Sequence, residues 1–125
     1  MKNIIFKNKI NLSNYTTIKV GGIAEYFAEP NNINDLLKLV TWSQLNNKEC
    51  RIIGAGSNLL INNIFLKGLT ICTKKLRSIS IDPLSGIIEV DCGMMLPTLS
   101  NLLAKNGLQG GEWAVGIPGT VGGAI

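Results

Sequence analysis

The residues that could do chemistry fall in two glycine-rich stretches, Gly54-Ala55-Gly56-Ser57-Asn58-Leu59-Leu60 and Gly116-Ile117-Pro118-Gly119-Thr120-Val121-Gly122-Gly123-Ala124. Each borders an apolar run and offers consecutive backbone N–H groups with little side-chain bulk. A polyanionic phosphate needs that surface to approach a main chain closely, so the chemistry to expect is the binding of a nucleotide cofactor. The first stretch is not a dinucleotide fingerprint, because Leu59 stands where a third glycine belongs, and it lacks the Lys-Ser/Thr ending of a P-loop. It is a short β-type run, Arg51-Ile52-Ile53, feeding a tight turn in which Ser57 and Asn58 can bond phosphate oxygens or the turn itself. In the second stretch Pro118 fixes φ where a helix can begin, and Gly119, Gly122 and Gly123 leave the first turn nearly bare, as at an anion-binding helix start. Tight turns and close helix–sheet packing select the same residues without any ligand. Finding both stretches in one short chain favours the ligand.

The missing residue types narrow the chemistry further. Histidine is absent, which excludes Ser-His and Cys-His catalysis and any flavin attached through an imidazole. Glu25, Glu29, Asp82, Glu89, Asp91 and Glu112 have no spacing that would pair two of them locally. Cys50, Cys72 and Cys92 are odd in number and lack metal-type spacing, so they read as reduced, buried or partly buried thiols. No catalytic residue and no metal ligand is assigned. The chain reads as a cofactor scaffold.

The 125 residues, 46% of them apolar, suffice for one compact domain. The apolar runs fall short of the roughly 20 residues of a membrane span, and the opening segment returns to charge at Lys7 too soon for a secretory signal. A cytoplasmic protein is expected. The net charge of +4 is scattered. Lys74, Lys75 and Arg77 cluster without an aromatic neighbour and read as a solvated loop, not a nucleic-acid site.

The elements that must position the two stretches follow from periodicity. Met1 to Asn11 reads as an arm or marginal strand. Tyr15 to Val20 alternates like a strand, Gly21-Gly22 breaks it, and Glu25 to Glu29 resumes extended structure. Asn31 or Asn32 caps a helix whose Ile33, Leu36, Leu37, Val40 and Gln44/Leu45 form the buried stripe, with Leu39 and Trp42 off it. A strand at Cys50 to Ile53 completes a βαβ unit with parallel pairing. Leu59 to Ile61 is a short strand or turn, and Leu69 to Thr73 a further β-type run. Ile79 to Asp82 and Ile87 to Cys92 flank Pro83-Leu84-Ser85-Gly86 as an antiparallel hairpin. Pro97 opens a helix with Leu96, Leu99, Leu102 and Leu103 on one face, closed by Asn106-Gly107. Trp113 reads as an aromatic anchor beside a solvated Glu112. The change of sheet type implies two lobes, about 12–65 and an incomplete second at about 66–125, with a seam near 62–68.

Taken in order, Asn14-Tyr15-Thr16-Thr17-Ile18-Lys19-Val20-Gly21-Gly22-Ile23-Ala24 and then the two glycine stretches closely resemble the amino-terminal part of the UDP-N-acetylenolpyruvoylglucosamine reductase family, whose motifs cover the chain almost end to end. The resemblance implies an α+β, two-lobed FAD-binding domain of the vanillyl-alcohol-oxidase / p-cresol-methylhydroxylase type. It further implies non-covalent FAD, NADPH as reductant, a nucleotide-sugar substrate (UDP-N-acetylglucosamine enolpyruvate) reduced for peptidoglycan synthesis, and a monomer. Carried over, Gly54, Gly56, Ser57, Asn58 and Leu59 would line the FAD pyrophosphate and ribityl region. Gly116, Ile117, Gly119, Thr120, Gly122 and Gly123 would face it from the other lobe. The family's proton-donating serine, with its assisting arginine and glutamate, has no counterpart before Ile125, and neither has its substrate domain. The chain is therefore expected to be a fragment inactive by itself. Another oxidoreductase of the same fold, or a non-catalytic nucleotide-binding module, remains open. Gly56→Val is expected to damage FAD binding more than folding.

Overall fold

In a computed structural model, residues 5–62 and 64–125 are described. The chain forms a four-stranded sheet followed by a two-stranded one. The first holds β1 (Lys7–Asn11), β2 (Ile23–Ala28), β3 (Cys50–Ile53) and β4 (Phe65–Cys72) in the spatial order β1-β2-β4-β3. β1 runs antiparallel to β2, and β4 runs parallel to both β2 and β3. The helix α1 (Ile33–Leu45) crosses from β2 to β3, capped by the Asn32 side chain, which accepts from the Asp35 N–H at 2.9 Å. The βαβ crossover is thus present, but β4 separates its two strands. β4 is the most deeply buried of these strands, and a strand buried on both faces belongs at the sheet centre.

Core packs on both faces of this sheet. Leu12, Ala24, Phe27, Ile53, Leu66 and Cys72 form one cluster, and Ala28, Leu39, Leu69 and Ile71 the other, under α1. The β2–β4 register shifts between Ala24 and Tyr26, which puts Ala24 and Phe27 on one face and Tyr26 and Ala28 on the other. At that irregularity the Glu25 carboxylate accepts the Gly68 N–H at 2.6 Å and pairs with Lys48 at 3.2 Å.

The second sheet is the antiparallel hairpin expected, β5 (Ile79–Ile81) with β6 (Ile88–Val90), turning at Gly86 with φ 73°. α2 (Leu96–Lys105) follows, with Pro97 in its first turn and Leu96, Ser100 and Leu103 buried. A 3-10 turn at Glu112–Gly116 and the short α3 (Val121–Ala124) close the chain.

Several sequence expectations are corrected. Tyr15 to Val20 is not a strand. A 3-10 turn spans Leu12–Tyr15, and the buried Thr16 hydroxyl then donates to the Val20 carbonyl at 2.8 Å, closing a loop with Lys19 at φ 57°. The side chain satisfies itself locally and outbids the ladder. On α1 the buried positions are Leu39 and Ser43, with Leu36, Val40 and Trp42 against the core, whereas Ile33, Leu37 and Leu45 are exposed. Phe6, Tyr26 and Trp42 pack edge-on or tilted against one another and hold the helix to that face. The seam near 62–68 is displaced, because Phe65–Cys72 lies inside the first sheet and the passage to the second comes after Cys72. Leu59 to Ile61 forms no strand. Cys50 is exposed, as is Trp113, whose indole N–H donates to the Gly110 carbonyl.

Candidate functional site

The two glycine stretches come together. β3 delivers the first at its C-terminal end, beyond the first sheet, and the second returns from α2 to lie across it. Between them is a groove of about 680 Å³, a size typical of small-molecule sites. Ten of the eleven residues singled out line it: Gly54, Gly56, Ser57, Asn58, Leu59, Ile117, Gly119, Thr120, Gly122 and Gly123. Gly116 does not. The sequence reading missed Leu36, Ile52, Thr73, Cys92 and Leu96, which complete the walls. Ile52 lies two residues before the first stretch, with Ile53, also in the wall, between them; the others arrive by folding.

The glycines serve the fold as well as any ligand. Gly56 is buried at φ 68°, and a Cβ there would collide with the Tyr15 carbonyl. Its own carbonyl accepts the Thr17 N–H at 3.0 Å. The Tyr15–Val20 loop therefore clasps the first stretch from behind, which is the structural part that segment plays. This contact argues against the expectation that Gly56→Val damages FAD binding more than folding, because the space the side chain would fill belongs to main chain. Gly122 packs against Cys92, where a Cβ would stand 2.7 Å from the Cys92 Cβ, and its N–H donates to the Cys92 carbonyl at 2.8 Å.

The helix at the second stretch begins later than expected. Thr120, not Pro118, is its N-cap, and the Thr120 hydroxyl oxygen accepts the Gly123 N–H at 3.3 Å. Pro118 and Gly119 form the loop before it. Main-chain bonds from Leu96 to Gly119 and from Val121 to Met94 tie this segment to the start of α2. Across the groove, the Ser57 hydroxyl donates to the Pro118 carbonyl at 3.0 Å.

What the groove offers is donors. The N–H groups of Ala55, Gly56, Ser57, Asn58, Gly119 and Thr120 donate to no oxygen of the described residues. Clustered amides of this kind, in loops with positive-φ glycines, suit an oxyanion. No carboxylate lines the groove. Cys72 does not line the groove: its sulfur lies 3.8 Å from the Gly54 carbonyl, and burial pushes the thiol pKa up. Among the described residues no cluster of His, Cys, Asp or Glu could hold a metal ion, and no helix is long and apolar enough to cross a membrane.

Fold and groove define an α+β scaffold with a main-chain-lined groove at the C-terminal end of β3, of a chemistry that suits an anionic ligand. The family described as "FAD binding domain" matches residues 24–125, and the chain belongs to it. A UDP-N-acetylenolpyruvoylglucosamine reductase from Prochlorococcus marinus subsp. pastoris is 75% identical over the whole chain, which spans 42% of that protein. A second, from another Prochlorococcus marinus strain, is 50% identical over the whole chain and is spanned to 43%. The crystal structure of the reductase of that name from Thermus caldophilus superposes with a TM-score of 0.67 at 30% identity, covering 96% of this chain and 41% of that one. An alkyldihydroxyacetonephosphate synthase superposes with a TM-score of 0.57 at 18% identity over 71% of this chain and 17% of its own, a likeness of fold alone. The chain thus spans well under half the length of these reductases. The α+β FAD-binding fold expected from the sequence is the one observed.

Proposed function

We propose that this chain is the FAD-binding part of a UDP-N-acetylenolpyruvoylglucosamine reductase, a flavin oxidoreductase of peptidoglycan synthesis. The observation that carries the reading is the groove in which both glycine stretches meet, in a chain 75% identical to a reductase of that name. The residues present fit the cofactor. Unbonded amides at 55–58 and 119–120, with the Ser57 hydroxyl, would hold the pyrophosphate, while Leu36, Ile52, Leu59 and Ile117 give the flat ring systems an apolar wall. Gly54, Gly122 and Gly123 would keep the groove floor low. FAD would supply hydride transfer between NADPH and the enolpyruvyl sugar nucleotide. These residues bind and orient, and no general acid or base of the reaction is assigned to them. The same reading makes the cofactor non-covalent and the whole protein a cytoplasmic monomer.

The test is flavin binding by full-length protein followed by acid precipitation. FAD that quenches on binding, is displaced by pyrophosphate-bearing nucleotides and leaves with the supernatant supports the reading. Turnover is then read as NADPH oxidation dependent on UDP-N-acetylglucosamine enolpyruvate. Flavin retained by the precipitated polypeptide, or oxidation indifferent to the sugar nucleotide, would overturn it.

A further inference from the structure

The bond from the Ser57 hydroxyl to the Pro118 carbonyl joins the two stretches across the groove, 61 positions apart and exposed to solvent. A serine hydroxyl carries one proton. It cannot donate to Pro118 and to a phosphate oxygen at once, so any ligand that takes this donor must break the link. Building on the FAD-site reading above, we infer that Ser57 is a positioning residue acting as an exchangeable latch, whose proton passes from the Pro118 carbonyl to the anionic part of the ligand and frees the loop ahead of Gly119.

The surroundings suit such an exchange. Both partners of the bond are solvent-accessible, so a released Pro118 carbonyl is satisfied by water at little cost. The pivot is Gly119, whose φ of 150° favours glycine and beside which a Cβ would stand 3.4 Å from the Ser57 oxygen. Beyond it the chain is fixed. Thr120 is 1% exposed, and the carbonyls of Met94 and Cys92 accept from the amides of Val121 and Gly122. Upstream, one bond of 3.3 Å from the Ile117 N–H to Ala114 anchors the loop. Movement at 117–118 therefore leaves α3 and the start of α2 in place.

The latch differs from a dedicated phosphate contact in what its removal does. A hydroxyl that exchanges one acceptor for another contributes only the difference between its two bonds, whereas a dedicated hydrogen bond to a charged group contributes its full worth, and losing it costs about tenfold or more. The experiment uses flavin-free full-length protein, stopped-flow quenching of FAD fluorescence, and amide exchange at Ile117, comparing wild type, Ser57→Ala and Ser57→Thr. In Ser57→Ala, association and dissociation should both accelerate about threefold or more with Kd changed by less than roughly threefold, and Ile117 should exchange faster before any ligand is added. Ser57→Thr, which keeps the hydroxyl, should restore wild-type behaviour in both. A Kd loss of about tenfold with unchanged association, or an Ile117 exchange rate that Ser57→Ala leaves unaltered, overturns the latch while leaving the FAD site standing. Failure of wild type to bind FAD overturns the underlying reading instead.

Discussion

Gly54 and Thr120, one from each glycine stretch, are packed against each other so closely that a Cβ on Gly54 would stand 2.5 Å from the Thr120 hydroxyl oxygen. Thr120 is buried and its oxygen is held by the Gly123 N–H, so it cannot swing aside without abandoning that bond. Gly54→Ala should cost about 1–3 kcal/mol as an overpacked contact. Thr120→Ala in the same chain should recover part of that loss, because it removes the obstructing oxygen, whereas Thr120→Ser keeps it and should recover nothing. Denaturant midpoints of wild type, Gly54→Ala, Thr120→Ala and the double variant give the coupling, expected at roughly 1 kcal/mol for such a pair. Additive losses would mean that the two stretches do not bear on one another.

Gly116 and Gly119 separate the two uses of glycine. Gly116 is exposed, a Cβ there would meet nothing within 4 Å, and it does not line the groove. Gly116→Ala should leave both stability and flavin affinity within error of wild type. Gly119 sits in the groove at φ 150°, and Gly119→Ala should weaken both. Flavin titration beside thermal melts decides. A loss of affinity confined to Gly116→Ala would return Gly116 to the site.

Much of this was legible in the sequence, for reasons that particular residues make plain. The two stretches announced themselves because bare backbone has a compositional signature, and the βαβ crossover and the 79–92 hairpin followed from period and turn residues. Tyr15 to Val20 misled because Thr16 and Thr17 favour strands by type, while the decisive bond, from Thr16 to the Val20 carbonyl, leaves no periodic trace. The α1 face misled because two apolar stripes compete on that helix, and the choice went to the side where Trp42 meets Phe6 and Tyr26. Cys92, Thr73 and Leu36 were invisible as groove residues, since only tertiary contact brings them there.

Gly56→Val should abolish the native fold rather than yield a folded apoprotein. The side chain would have to displace the Tyr15 carbonyl while holding a positive φ that a β-branched residue avoids, and the Thr17 to Gly56 bond would go with it. The check is near-ultraviolet circular dichroism and exchange protection of the flavin-free variant. A cooperatively folded Gly56→Val protein that has merely lost flavin would show that the Tyr15 loop can retreat.

Glu25 gives the fold an acid limb whose sign is fixed. The Gly68 N–H, and then Lys48, hold its carboxyl below the ordinary glutamate range. A carboxyl whose pKa is lower folded than unfolded contributes stability that is complete above the unfolded value, about pH 4.3, and is lost as pH falls through the folded one. Glu25→Gln keeps an acceptor for Gly68 but surrenders the charge. Its deficit against wild type should therefore be largest near neutrality and shrink on acidification to pH values below the ordinary glutamate range. Asp82 is also held low, by Ser85 and the Leu84 N–H, but it titrates alike in both proteins and cancels from the difference. Urea denaturation of the pair across pH measures this directly. A deficit that stays constant with pH would show that Glu25 acts at the β2–β4 irregularity through its shape and hydrogen bond alone.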